Sequence, residues 1–244
     1  MTKIVSLVRP TRAEVVYAEG NFANAKTALE SNGYKIASAG EIANSRIEQG
    51  KDADVSKYGR WTREGFIYVP KKGIFLVRNS PIMANAKEAT ECHRNGKEFY
   101  LTNEQVEESL KASIEIENSR AIPTKRFGEN ELTSFAFGPE AERYGEFLKE
   151  AGIKNMPIYL ASTEEKPFAR QLWFRDLGNN SVLSGSDRDL SYDDDGAFGV
   201  NASADEGSAS APRFVHYDNF FEALKAEGVS LTGNLEKRII ARLN

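Results

Sequence analysis

The residues of this chain best able to do chemistry crowd into one stretch, RQLWFRDLGNNSVLSGSDRDLSYDDDGAFGV, over residues 170–200. Between positions 187 and 206 stand seven acidic residues, Asp187, Asp189, Asp193, Asp194, Asp195, Asp205 and Glu206, against Arg188 alone. That window carries −6 of a total net charge of −4, so the remainder carries +2 and the negative charge is local. Closely spaced carboxylates in a glycine-bearing loop are hard oxygen ligands, and Asp187, Asp189, Asp193 and Asp195 have the alternation that calcium asks for. The EF-hand pattern is broken, however. Counted from Asp187, Ser191 falls where the third ligand belongs and Phe198 where the bidentate Glu belongs. Two other readings stand beside calcium: a solvated turn region and a recognition surface.

Recognition draws on the aromatic residues of the same stretch. Trp173, Phe174, Tyr192 and Phe198 interleave with Arg170, Arg175, Asp187, Arg188 and Asp189. Aromatic rings supply rigid contact area, and Asn or Asp in glycine-bearing loops supply adaptable hydrogen bonds. Trp173 lies within an alternating run and reads first as core.

The commonest catalytic arrangements are missing. No phosphate-binding glycine loop, dinucleotide fingerprint or HExxH occurs, and there are two histidines, His93 and His216. His93 follows Cys92, but neighbours on a helix point in different directions. Cys92 reads as a small buried filler, His93 as a helix-end residue pairing with the last carbonyls, and His216 as structural. Ser184-Gly185-Ser186 lacks the nucleophile-elbow pattern. No catalytic residue is assigned.

The chain of 244 residues, 40% apolar with fourteen Phe and nine Tyr, is long enough for a real core. Its acidic balance disfavours nucleic acid as a partner. Lys3, Arg9 and Arg12, with Lys237, Arg238 and Arg242, keep a DNA-associated alternative open, although the latter three also fit the solvated face of a helix. One cysteine permits no intrachain disulfide, Arg9 and Pro10 interrupt any early apolar run, and no stretch is apolar enough to span a membrane. A cytoplasmic protein with no membrane partner is the expectation.

The elements that must position these residues make a mixed α+β pattern, short strands with peripheral helices. Residues 1–62 read as a helical N-terminal region, with Asn21 capping a helix that Gly33 stops and residues 52–60 as linker. Residues 63–203 read as an α+β core. A hairpin joins 66–69 to 74–77, and a Ser80-Pro81 start opens a helix. Thr102 to Gln105 has capping-box spacing, and the helix after Gly138-Pro139 puts Ala141, Tyr144, Phe147 and Leu148 on one face. Strands follow near 157–161, 171–175 and 197–200. Residues 204–244 read as linker and C-terminal helices, around 218–227 and 232–243.

Tyr159-Leu160-Ala161, then Arg170-Gln171-Leu172-Trp173-Phe174-Arg175, then Ser181, Leu183 and Gly185, then Tyr192-Asp193 with Gly199-Val200, resemble the end of a C-type-lectin-like domain. The formylglycine-generating-enzyme-like branch, which includes variable proteins diversified by retroelements, is the nearest resemblance, over residues 120–203. The closing motif departs from that group, since Asn201 stands where an Arg is usual. The active-site features of the sulfatase-modifying enzymes have no counterpart, so the resemblance implies binding without catalysis. It implies exposed contact residues at Arg175, Asn179, Asn180, Ser184, Ser186, Arg188, Asp189, Tyr192, Asp193 and Asp194, with Trp173 and Gly199 as scaffold. The expected function is a non-enzymatic module gripping a protein or glycan through a 175–198 loop surface. A carboxylate-based or metal-assisted hydrolase is the alternative; no cofactor is expected except, in the metal reading, calcium.

Overall fold

Strands that bury apolar side chains on both faces build the centre of the sheet. The computed structural model describes residues 4–6, 15–118, 120–186 and 189–202. Asp187, Arg188, the 203–244 segment with its expected helices and the terminal basic residues lie outside the described residues. The described residues belong to the first of the chain's two units, Met1–Ser203.

The first unit contains strands β1 (Ile4–Ser6), β2 (Val15–Glu19), β3 (Tyr34–Ile36), β4 (Arg60–Val69), β5 (Gly73–Val77) and β6 (Phe99–Tyr100). It continues with β7 (Ser113–Ile116), β8 (Arg120–Pro123), β9 (Asn155–Tyr159), β10 (Phe168–Phe174), β11 (Leu183–Ser184) and β12 (Gly196–Asn201). Helices α1 (Phe22–Glu30), α2 (Ala39–Gln49), α3 (Asp54–Lys57), α4 (Pro81–Ala84), α5 (Ala86–Arg94), α6 (Asn103–Leu110), α7 (Glu131–Phe137) and α8 (Ala141–Glu150) flank the sheet. Hydrogen bonding runs in the order β1-β2-β12-β4-β10-β11-β9-β8, with β3 on β12, β5 between β4 and β7, and β6 on β10.

Along β4, Phe66 and Tyr68 join one buried cluster while Trp61, Ile67 and Val69 join another. Along β10, Phe168, Leu172 and Phe174 enter the first cluster and Ala169 and Trp173 the second. Alternate side chains leave opposite faces of a strand, so each central strand is covered on both sides. The register of β10 on β4 slips between Gln171 and Trp173. Gln171 answers the slip by donating its amide to the carbonyls of Thr62 (2.5 Å) and Glu64 (3.0 Å).

Helix ends follow the chemistry of their caps. Asn21 accepts from the Asn24 N–H, and Ser38 with Glu41, like Thr102 with Gln105, forms a reciprocal capping box. The helix expected from Ser80-Pro81 is split at Asn85 into α4 and α5. Trp173 is 4% exposed, as its alternating run implies.

Among the described residues of 1–62, strands β1, β2 and β3 stand beside the helices expected there. β2 lies antiparallel to β12, pairing Ala18 with Ala197 and Tyr17 with Phe198. Five-residue β2 is too short to outweigh the helical composition around it, and its partner is remote in sequence. Residues 52–60, expected as linker, contain α3 and the first residue of β4.

Gly196 opens β12 directly after the acidic run. A Cβ there would lie 2.3 Å from the Ala18 carbonyl oxygen and 2.6 Å from a Tyr17 ring carbon. Gly196→Ala therefore has to push β12 off β2 and is expected to cost about 1–3 kcal/mol. Urea unfolding reads this; a midpoint equal to wild type would refute the close approach.

Candidate functional site

At the end of β10 the chain turns sharply. Asp176 caps the turn over Leu177–Asn179, accepting the Asn179 N–H at 3.0 Å and its side-chain amide at 2.9 Å. Asn180 and Ser181 both take positive φ, 55° and 57°, which costs energy for residues with a Cβ. The Arg175 N–H donates to the Val182 carbonyl and the Ser181 N–H to the Asp176 carbonyl, both at 2.9 Å. The turn is thus closed on itself, with Asn179 and Asn180 facing outward.

The acidic loop is anchored at several points. Asp189 accepts the Ser191 N–H at 2.8 Å. Leu190 is buried, donates its N–H to Nδ1 of His93 at 3.4 Å and accepts the Phe22 N–H at 2.9 Å. Asp193 accepts the Asn21 amide at 2.8 Å, and the Asp195 carbonyl accepts the Gly20 N–H at 3.0 Å. The loop is stitched to the start of α1 and the end of α5.

Between this loop and the turn lies a polar cleft of about 470 Å³. One wall is Lys57 to Arg60, the opposite one Arg175, Asp176 and Asn179; Tyr17 and Glu19 join Asp194 and Asp195 to close it, with Trp173 also lining it. Arg60 is its fixed charge. The guanidinium stands 4.2 Å from the Tyr17 ring centre and 5.1 Å from that of Tyr58, and donates to the Gly59 carbonyl at 2.6 Å. Burial lowers the pKa of Arg60, opposed by Tyr17, Asp195 and Glu19. Burial likewise raises the Tyr17 phenol, opposed chiefly by Arg60. Tyr58 leaves half of its surface to solvent, 50%. Gly59 lets the walls approach, since a Cβ there would meet the Arg175 Cα and the Trp173 indole nitrogen at 3.0 Å.

Of the contact residues expected from sequence, Arg175, Asn179 and Asp194 line the cleft. Asn180, Ser186, Tyr192 and Asp193 are exposed nearby in sequence, and Asp189 is half-buried against His93, 3.6 Å from Nδ1. Ser184 is a correction. It is 0% exposed because β11 is paired on both sides, with β10 and with β9, and it accepts the Ser186 N–H. Asp195, one of the four carboxylates expected for calcium, is 4% exposed. Among the described residues no three His, Cys, Asp or Glu side chains are grouped to hold a metal ion. His93 is a second correction: its ring faces the 189–190 loop rather than the last carbonyls of its helix.

Sequence reading missed Tyr17, Glu19, Lys57, Tyr58 and Arg60. The signal for Lys57, Tyr58 and Arg60 was the aromatic and basic alternation of Lys57-Tyr58-Gly59-Arg60-Trp61, masked by its polar flanks.

No family model matches the chain, and no curated protein matches it. A solved structure does. It is described as the accommodation of massive sequence variation in Nanoarchaeota by the C-type lectin fold, and it matches at a TM-score of 0.55 and 19% identity. The match covers 80% of this chain and 99% of that one. The chain is therefore a mixed α/β protein, a large sheet with peripheral helices, similar in structure to the C-type lectin fold. The likeness extends well beyond the residues 120–203 on which the sequence resemblance rested. Among the described residues, no helix is long and apolar enough to cross a membrane.

Proposed function

We propose that this chain is a non-enzymatic recognition module that binds a protein or a glycan through its 175–198 loop surface and the adjoining cleft. The observation that carries the reading is the cleft itself. It combines donors (Lys57, Arg60, Arg175), acceptors (Glu19, Asp194) and the half-exposed ring of Tyr58, within a volume suited to a side chain or a sugar ring. Such sites bind by rigid aromatic contact plus a few placed polar groups. The affiliation we propose within the lectin-like proteins is the formylglycine-generating-enzyme-like branch with its retroelement-diversified members, supported by the Trp173-Phe174-Arg175 strand end and the Asn, Ser, Gly and Asp-rich excursion after it. Cytoplasmic residence belongs to the same proposal and rests on the single cysteine.

The test is selection of binders for the full chain from a displayed peptide library and from a glycan array. Tyr58→Ala, Asp194→Asn and Tyr192→Ala are then compared with wild type. Tyr192 is 47% exposed, so its truncation should leave folding intact. At least one of these substitutions is expected to weaken selected ligands about tenfold or more, the loss of one good contact. Ligands indifferent to all three would place recognition elsewhere on the molecule.

A further inference from the structure

Beneath the cleft lies a charged side chain that the recognition reading does not use. Arg46, in the last turn of α2, is 0% exposed. Its Nε donates to the Val55 carbonyl at 2.9 Å, and Nη1 to the Tyr144 hydroxyl at 2.9 Å and to Ser181 Oγ at 3.0 Å. Nη2 reaches the Tyr58 carbonyl at 3.4 Å, and the guanidinium lies 4.2 Å from the Phe174 ring centre. Four of its five N–H groups are thereby used. Among the described residues no carboxylate pairs with it. Its partners are neutral oxygens on three separate segments, α3 with its cap Tyr58, α8 and the Asn180–Ser181 turn, and the first and last of these border the cleft.

We infer that Arg46 is the positioning residue of the cleft, tying the Tyr58 wall to the Asn180–Ser181 turn so that the two walls keep their spacing as a unit. The turn needs such a tie. Two consecutive residues with a Cβ sit in the left-handed region, a conformation that persists only where the surroundings over-determine it. The local restraints are the Asn180 N–H to the Leu177 carbonyl at 3.0 Å and the Ser181 N–H to the Asp176 carbonyl at 2.9 Å. Both lie within the turn, so neither fixes its distance from Tyr58. Arg46 does, through one planar fork whose ends hold both walls. A lysine keeps the charge but presents one nitrogen on a flexible stem and cannot span them. Tyr144 braces the fork, its hydroxyl 2.5 Å from Ser181 Oγ.

The test is amide hydrogen exchange on the ligand-free full chain, comparing Arg46→Lys and Ser181→Ala with wild type. The reporters are the Tyr58, Asn180 and Ser181 amides for the walls, and the β4 amides of Ile67 and Val69 for the core. Arg46→Lys is expected to speed exchange about tenfold at both walls while the core amides keep their protection. Ser181→Ala is expected to speed the Asn180 and Ser181 amides and to leave Tyr58 unchanged. Three outcomes overturn the inference: equal acceleration at walls and core, no acceleration at one of the walls in Arg46→Lys, or failure of Arg46→Lys to fold while Ser181→Ala leaves the turn protected. The relevance to recognition rests on the proposed function. Exchange without ligand reads wall spacing alone, and the Tyr58→Ala binding comparison reads the function, so the two fail separately.

Discussion

Glu64→Gln is expected to stabilise the protein above pH 7 by about 3 kcal/mol and to expose a pH dependence that the wild type hides. Glu64 is 4% exposed, and burial pushes its carboxyl up from 4.5 to about 7, against the Ala39 N–H that it accepts at 3.0 Å. A carboxyl raised on folding keeps its proton where the unfolded chain has lost it. Its contribution is full below pH 4.5 and is lost as pH climbs to about 7. His93 acts with the opposite sign. Burial, aided by Arg170 and opposed by Asp189, depresses its imidazole from 6.5 to about 4. Its contribution is full above pH 6.5 and is lost as pH falls toward 4.

The two windows nearly coincide, so their slopes cancel in the wild type. Removing either group leaves the other's slope visible. In Glu64→Gln the amide oxygen still accepts from Ala39, and stability should rise with pH through the His93 window. In His93→Asn, whose side-chain oxygen can accept the Leu190 N–H, stability should fall between pH 4.5 and 7. Urea unfolding at pH 4.5, 5.5, 6.5 and 8 measures all three proteins. Glu64→Gln running parallel to wild type at every pH would show that the carboxyl titrates normally.

Glu64 and Arg46 also show where sequence reading stops. Capping boxes at Ser38 and Thr102 are local chemistry, and the Ser80-Pro81 start was legible for the same reason. The 66–69 and 74–77 hairpin followed from two short runs of β-branched and large apolar residues around a short turn. Burial of a charge, by contrast, is decided by partners remote in sequence. Arg46 meets Ser181 and Tyr144 at separations of 135 and 98 residues, and nothing near Arg46 announces them. The cleft divides in the same way. Its turn and acidic-loop side, Arg175, Asn179 and Asp194, stood out by composition, whereas Tyr58 and Arg60 looked like ordinary polar linker. Ser184 shows the converse error. A serine in a Gly and Asn-rich stretch looks exposed, but a two-residue strand held between two neighbours is not.

Trp61 joins these long-range partners into one body, and Trp61→Ala is expected to cost about 3–5 kcal/mol, the range for emptying a large aromatic site. The side chain is 0% exposed and meets Phe22 and Trp173 edge to face, with ring centres at 5.5 and 5.3 Å. Its backbone pairs with Trp173 on β10 and Ala197 on β12. One residue therefore fixes the first turn of α1, to which the acidic loop is stitched, against the strand that ends in the Arg175 wall. A cavity there has two tightly packed rings on its border and little means of collapse. Trp61→Phe is the informative partner. It keeps an edge-to-face ring and deletes an indole N–H that has no hydrogen-bond partner among the described residues, so its cost should stay near about 1–2 kcal/mol. Urea unfolding of both variants separates the outcomes. Equal losses would mean that the full bicyclic indole, which a phenyl ring does not replace, is what fills the site. A small loss for Trp61→Ala would mean that α1 and the acidic loop are held by their backbone hydrogen bonds alone.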